Sequence, residues 1–204
     1  VGRVIEPWLE RIAAEMAGEV WDRKTIVFLP LVKTAQRMRD CLRAVGMDAQ
    51  CVSGYDTNRA ETLAWFAKAG PGSVLCNSML LTEGFDQPDV DCIVNLRPTQ
   101  VRALYAQMVG RGTRIHPGKT DCLLLDFLWQ SERLSLVSPA RLFTGNVEEV
   151  KEVQEKLADA AAKGGDEVDL VEVCETVEEQ RFKKVMEALK ANRKRPPGTH
   201  DAVE

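Results

Sequence analysis

Apolar positions along this chain switch between two periods. Val4, Ile5, Trp8, Leu9, Ile12, Ala13, Met16 and Val20 recur at three and four, which predicts an amphipathic helix over about 3–20. Trp21-Asp22-Arg23-Lys24 breaks that spacing, and Thr25 to Leu31 is a β-branched apolar run short enough for a buried parallel strand. Further on, helices are predicted over about 32–45, closed by Gly46, and over about 58–69. Strands are predicted over 49–53, 73–76, 91–95 and 121–127. Between the last two, Val101, Leu104, Tyr105 and Met108 stand at helical spacing and run into Gly110 and Gly112. Strands alternating with helices of about a dozen residues predict an α/β fold with a doubly wound parallel sheet, right-handed at each crossover. Ligands of such sheets bind beyond the carboxyl ends of the strands. That edge collects Pro30 to Thr34, Gly54 to Arg59, Asn77 to Asp86 and Arg97 to Thr99.

The pattern changes after Phe127. A connector with apolar anchors such as Trp129, Leu134, Leu142 and Phe143 runs to Gly145. Val147, Val150, Val153 and Leu157 then form a helical stripe, Gly164-Gly165 break it, and Val177, Phe182, Val185, Met186 and Leu189 mark a second. The division expected is 1–145 for the α/β domain with its leading helix and connector, and 146–204 for a helical extension with a frayed end. Lys183, Lys184 and Arg193-Lys194-Arg195 give a basic end, read as the solvated charges of a frayed terminus, with contact to DNA as the alternative.

Charge narrows the classes of partner. The first 145 residues carry 17 Lys/Arg against 16 Asp/Glu, and the remainder 10 against 15. A wholesale basic footprint is absent, so any grip on nucleic acid must be local, made by backbone amides, hydroxyls and a few arginines. The six cysteines form no CxxC pair, and the two histidines, His116 and His200, lie far from a partner set, so no metal ligands are assigned. Buried thiols in apolar runs fit a reducing cytoplasm. No signal peptide or membrane-length apolar run is present, and the opening Val in place of Met points to an excised piece of a longer protein.

The sharpest chemistry lies in Gln107-Met-Val-Gly-Arg111-Gly-Thr-Arg114. Two arginines three residues apart, each beside glycine or threonine, suit bidentate gripping of a phosphate, and the glycines are expected to hand them to a tight, exposed turn. The alternative is a helix C-terminus decorated with cations that favour its dipole. A nearby string, Gly112 to Gly118-Lys119-Thr120, looks like a phosphate loop but has five residues between its glycines where that loop allows four. It also precedes a strand instead of following one, so Pro117-Gly118 is read as an ordinary turn.

Taken together, Thr25 to Pro30, Thr82-Glu-Gly-Phe-Asp86, Asp91 to Asn95, Arg97-Pro-Thr99 and Gln107 to Arg114 resemble, in order and spacing, motifs IV, V and VI of superfamily 2 helicases of the DEAD/DEAH type. The resemblance covers about 24–127. It implies a RecA-like three-layer sandwich with a mostly parallel central sheet, to which the C-terminal α-helical extension is added. It further implies ATP with Mg2+, bound in a cleft that an N-terminal RecA-like domain of the same parent protein shares. No magnesium-binding DExx or DEAH motif is assigned, so the phosphate and metal ligands are expected mainly from that other domain, and this chain alone is expected to be inactive. Arg114 resembles the arginine finger, Arg111 its companion on the γ-phosphate, and Gln107 the motif VI glutamine. Gly84 and Asp86 match the nucleotide-facing glycine and aspartate of motif V. The single-strand track is expected at Ser78, at Pro30, Leu31 and Thr34, and at Gly54 and Arg59. Arg97-Pro-Thr and the glutamine at 107 resemble bacterial and phage translocases more than the RNA-remodelling group, which makes DNA the favoured substrate. No membrane partner is implied. The competing reading is a non-catalytic module that binds nucleotide or nucleic acid as a scaffold of the same fold.

Overall fold

The computed structural model describes residues 5–78, 85–126, 138–144, 146–162 and 168–193. The chain forms two compact units, Val1–Ser138 and Pro139–Glu204.

The first unit is built on five parallel strands: β1 (Thr25–Leu29), β2 (Asp48–Ser53), β3 (Ser73–Ser78), β4 (Cys92–Asn95) and β5 (Leu123–Asp126). Their spatial order is β2-β3-β1-β4-β5, so β1 lies at the centre and the chain crosses over it between β3 and β4. In register, Leu29 pairs with Ser78, Ser78 with Ser53, and Phe28 with Asn95, which brings the strand ends to one edge. Every residue of β1, β3 and β4 is buried, as expected for parallel strands covered on both faces.

One face carries Val27, Leu29, Val74, Cys76 and Val94, packed in a single core with α1 (Leu9–Glu19) and α2 (Val32–Ala44). The apolar face of α1, Leu9, Ile12, Ala13 and Met16, is the one its spacing predicts. A short 3-10 turn, Glu6–Trp8, with Pro7 in its first turn leads into it, so among the described residues the helix expected over about 3–20 is interrupted before Leu9. The alternate strand positions, Ile26, Phe28, Leu75 and Ile93, are equally buried and face the opposite layer. That layer holds α3 (Arg59–Lys68), against β2 and β3, and α4 (Arg102–Val109), against β4. The result is a three-layer α/β sandwich.

Two boundaries differ from the sequence expectation for visible reasons. Strand β1 stops at Leu29 rather than Leu31, because proline at 30 ends the ladder and Leu31, extended at φ −132° and ψ 148°, caps α2. Strand β3 runs on to Ser78 because Asn77 and Ser78 still pair on both sides.

The second unit contains a 3-10 turn, Pro139–Leu142, and two helices, α5 (Val147–Ala162) and α6 (Leu170–Arg193). Asn146 starts α5 by accepting the Glu148 amide, and Asp169 starts α6 by accepting those of Val171 and Glu172. Ala140, Val150, Val153, Cys174 and Val177 form the core. Arg181 ties the helices by bonds to Glu149 at 3.0 Å and Glu152 at 3.1 Å. Phe182 and Met186, assigned by spacing to the packed stripe, are exposed instead. The stripe that packs is the one through Cys174 and Val177. Among the described residues, no helix is long and apolar enough to cross a membrane.

Candidate functional site

Helix α4 buries Tyr105, Met108 and Val109 and leaves Gln107 exposed, as a surface helix with one apolar face must. It ends at Gly110, whose amide still bonds the Ala106 carbonyl, and the next two amides tighten the turn by bonding Met108 and Val109. Gly110 stays right-handed, at φ −58° and ψ −13°. The tightest side-chain packing around a glycine of the turn is at Gly112. A Cβ there would stand 2.6 Å from Ile93 Cγ1 and 2.5 Å from Cys122 Sγ, well inside contact distance. The turn therefore lies flat against Ile93 of β4 and Cys122, the residue before β5.

This packing corrects the expectation of an exposed arginine turn. Arg111 retains only 9% exposure, and its Nη1 donates to the Phe85 carbonyl. Arg114, about a third exposed, donates to the same carbonyl at 3.4 Å and makes a close ion pair with the Asp86 carboxylate. Burial pushes the Arg111 guanidinium below its ordinary pKa, the neighbouring Arg114 charge pushes the same way, and Asp86 opposes both. Three of the predicted nucleotide-site residues, Arg111, Arg114 and Asp86, are thus brought together. Gln107 sits on the exposed face of the same helix, and Gly84 lies outside the described residues.

The candidate strand-binding residues spread along the carboxyl edge. Gly54 and Arg59 are exposed, Pro30 is half-buried and Leu31 is half-exposed. Thr34 is buried, and its hydroxyl accepts the Leu31 amide at 3.3 Å and donates to the Leu31 carbonyl at 2.8 Å. It serves as an internal brace of the α2 entry, so amides of the first turn, not this hydroxyl, are the donors facing outward. Ser78 closes β3 at the same edge but is 2% exposed.

Two features went unnoticed in the sequence. Phe85 stacks on Phe66 of α3, ring centroids 6.2 Å apart, so one residue both faces the arginines with its carbonyl and anchors them to a helix with its ring. Lys119, seen only as part of a false phosphate loop, sends its ammonium to the carbonyls of Val90 and Arg114 at 2.6 and 2.9 Å. Phe85 carried a signal, being the one aromatic in its motif segment; Lys119 carried none beyond its place after Gly118. The turn assigned to Pro117-Gly118 is present, with Gly118 at φ +85°. Asp166-Glu-Val-Asp169 spells the letters of a DExD string, but Asp169 is the cap of α6.

Residues 9–116 match the helicase conserved C-terminal domain family. The chain is 40% identical over 114 residues to irc3 of Schizosaccharomyces pombe, which carries the provisional name of a mitochondrial ATP-dependent helicase; the match spans 55% of this chain and 19% of that protein. It is 47% identical over 64 residues to IRC3 of Saccharomyces cerevisiae, provisionally named an ATP-dependent helicase, over 31% of this chain and 9% of that one. This chain thus spans less than a fifth of either relative. In structure it resembles a fragment assigned to the HsdR subunit of a type I restriction enzyme from Vibrio vulnificus YJ016, with a TM-score of 0.52 at 24% identity, covering 62% of this chain and 27% of that one. With the motifs in order, the five-stranded parallel sheet and a family match over more than half its length, this chain belongs to the helicase conserved C-terminal domain family, and its first unit is a RecA-like domain.

Proposed function

We propose that this chain is the C-terminal motor domain of an ATP-dependent helicase or translocase, with DNA as the favoured track, and that it supplies an arginine finger to a nucleotide held mainly by an N-terminal RecA-like domain. The observation that carries the reading is the convergence of Arg111 and Arg114 on Phe85 and Asp86 at the end of α4. Two guanidinium groups aimed at one pair of oxygens fit the phosphate end of ATP, where charge spreads over equatorial oxygens during transfer. In this reading Arg114 exchanges Asp86 for the γ-phosphate as the cleft closes, Arg111 steadies the same phosphate, and Gln107 faces the neighbouring motifs. Gly84 and Asp86 border the nucleotide. Mg2+, held chiefly by the other domain, would neutralise phosphate charge. The strand track runs over Pro30, Leu31, the backbone at Thr34, Gly54, Arg59 and Ser78, with residues 146–204 as a helical extension. Six free thiols support the cytoplasm or another reducing compartment.

A second reading is favoured by one observation: both arginines have structural partners within the domain, as they would in a scaffold that never meets ATP. ATPase measurements separate the two. The chain alone should hydrolyse no ATP above background, and the chain joined to an N-terminal RecA-like domain should show turnover stimulated by single-stranded DNA. A joined protein with no turnover would leave the scaffold reading standing.

A further inference from the structure

Residues 85–90 and the turn 111–114 run beside each other and are fastened at both ends. At one end the guanidinium groups of Arg111 and Arg114 hold Phe85 and Asp86. At the other, the Lys119 ammonium reaches the carbonyls of Pro88 at 3.4 Å and Val90 at 2.6 Å on one segment, and of Arg114 at 2.9 Å and Gly112 on the other. An ammonium has three protons and no accepting atom, so it suits a nest of carbonyls drawn from two backbones. The left-handed Gly118 and the Lys119 amide bond to the His116 carbonyl at 3.1 Å fold the chain back, which returns the lysine over the turn it follows.

The two clamps differ in kind. The guanidinium clamp must open if Arg114 is to meet a phosphate, because the same Nη1 cannot keep Asp86 and reach across a cleft. The ammonium clamp touches only backbone carbonyls and has no need to open. We infer that Lys119 is the positioning residue of the arginine turn, holding residues 111–114 in register with residues 88–90 while Arg111 and Arg114 are engaged with nucleotide. This rests on the nucleotide reading of the two arginines.

The test has two arms. In the 204-residue chain, Lys119→Ala should speed amide hydrogen exchange across residues 112–116 by roughly tenfold or more, with exchange in β1 and β3 unchanged. In the motor joined to an N-terminal RecA-like domain, Lys119→Ala should lower kcat by about a hundredfold, the scale of a small misplacement, with KM for ATP changed only a few-fold. Ethylammonium ions, which can refill the carbonyl nest, should restore part of that kcat, as simple loss of stability would not allow. Lys119→Gln, which keeps donors without the charge, gives the same measurements at an intermediate level should the alanine variant fold poorly. Unchanged exchange at 112–116 would overturn the inference. So would full kcat in the lysine variants beside an inactive Arg114→Ala. Full turnover by Arg114→Ala itself would instead sink the nucleotide reading, and the two failures stay distinct because the exchange measurement uses no nucleotide.

Discussion

Arg114 holds its guanidinium about a third exposed against the Asp86 carboxylate, so an alanine there removes little packing but all of the charge. Because a finger acts mainly on charge that develops during phosphoryl transfer, Arg114→Ala in the joined motor should cut turnover by roughly a thousandfold or more while nucleotide affinity stays within about tenfold. Lysine at 114 should rescue poorly, since it keeps the charge without the planar fork. Steady-state ATPase with saturating DNA, alongside separately measured affinity, checks both statements. Gly112 answers to a different force. Its added methyl would meet Ile93 of β4 and Cys122 just before β5, so Gly112→Ala should cost about 1–3 kcal/mol, read as a lowered Tm. No loss of Tm would mean that the turn can lift off the sheet. The arginine pair was legible in the sequence because spacing and neighbouring glycines are local properties. Its inward orientation was not, because that depends on Gly112 packing against strands encountered elsewhere in the chain.

Among the elements, α2 shows how a polar residue that matches a binding motif can be spent inside the fold. Thr34 accepts the Leu31 amide and returns a bond to the Leu31 carbonyl, while leucine at the cap offers no side-chain acceptor. Thr34→Val keeps the branched shape and loses these bonds. It should therefore cost about 1 kcal/mol, seen as a lower urea midpoint at constant slope, and should leave strand binding within a few-fold. A large loss of binding with unchanged stability would return the hydroxyl to the track. Strands β1, β3 and β4 were legible from their apolar runs because both faces are covered, which removes alternation from the pattern. The α6 stripe was misjudged at Phe182 and Met186, since periodicity alone names a face without saying how far a partner helix extends along it.

For the molecule as a whole, the doubly wound class followed from the alternation of elements, while the order β2-β3-β1-β4-β5 did not, because strand neighbours are chosen by long-range pairing. With a net charge of −4, the chain gains no attraction to nucleic acid from its overall charge. It should bind single-stranded DNA weakly, through few phosphates, with a shallow slope of affinity against salt and a reduction in Ser78→Ala. A titration at low salt without binding would count against the track. Steep salt dependence would point to basic contacts beyond it. The Asp86–Arg114 pair has a bearing on this chemistry as well. A carboxylate tethered beside the guanidinium acts as a competitor at an effective concentration of about millimolar or above, present in every copy of the protein and independent of what the surrounding solution contains. On the nucleotide reading proposed above, stray inorganic phosphate at lower concentrations would be at a disadvantage in that competition, and a nucleotide would prevail through contacts elsewhere that raise its own local concentration. On the same reading, the ion pair would work as a threshold that favours a ligand anchored by the opposing domain over loose anions.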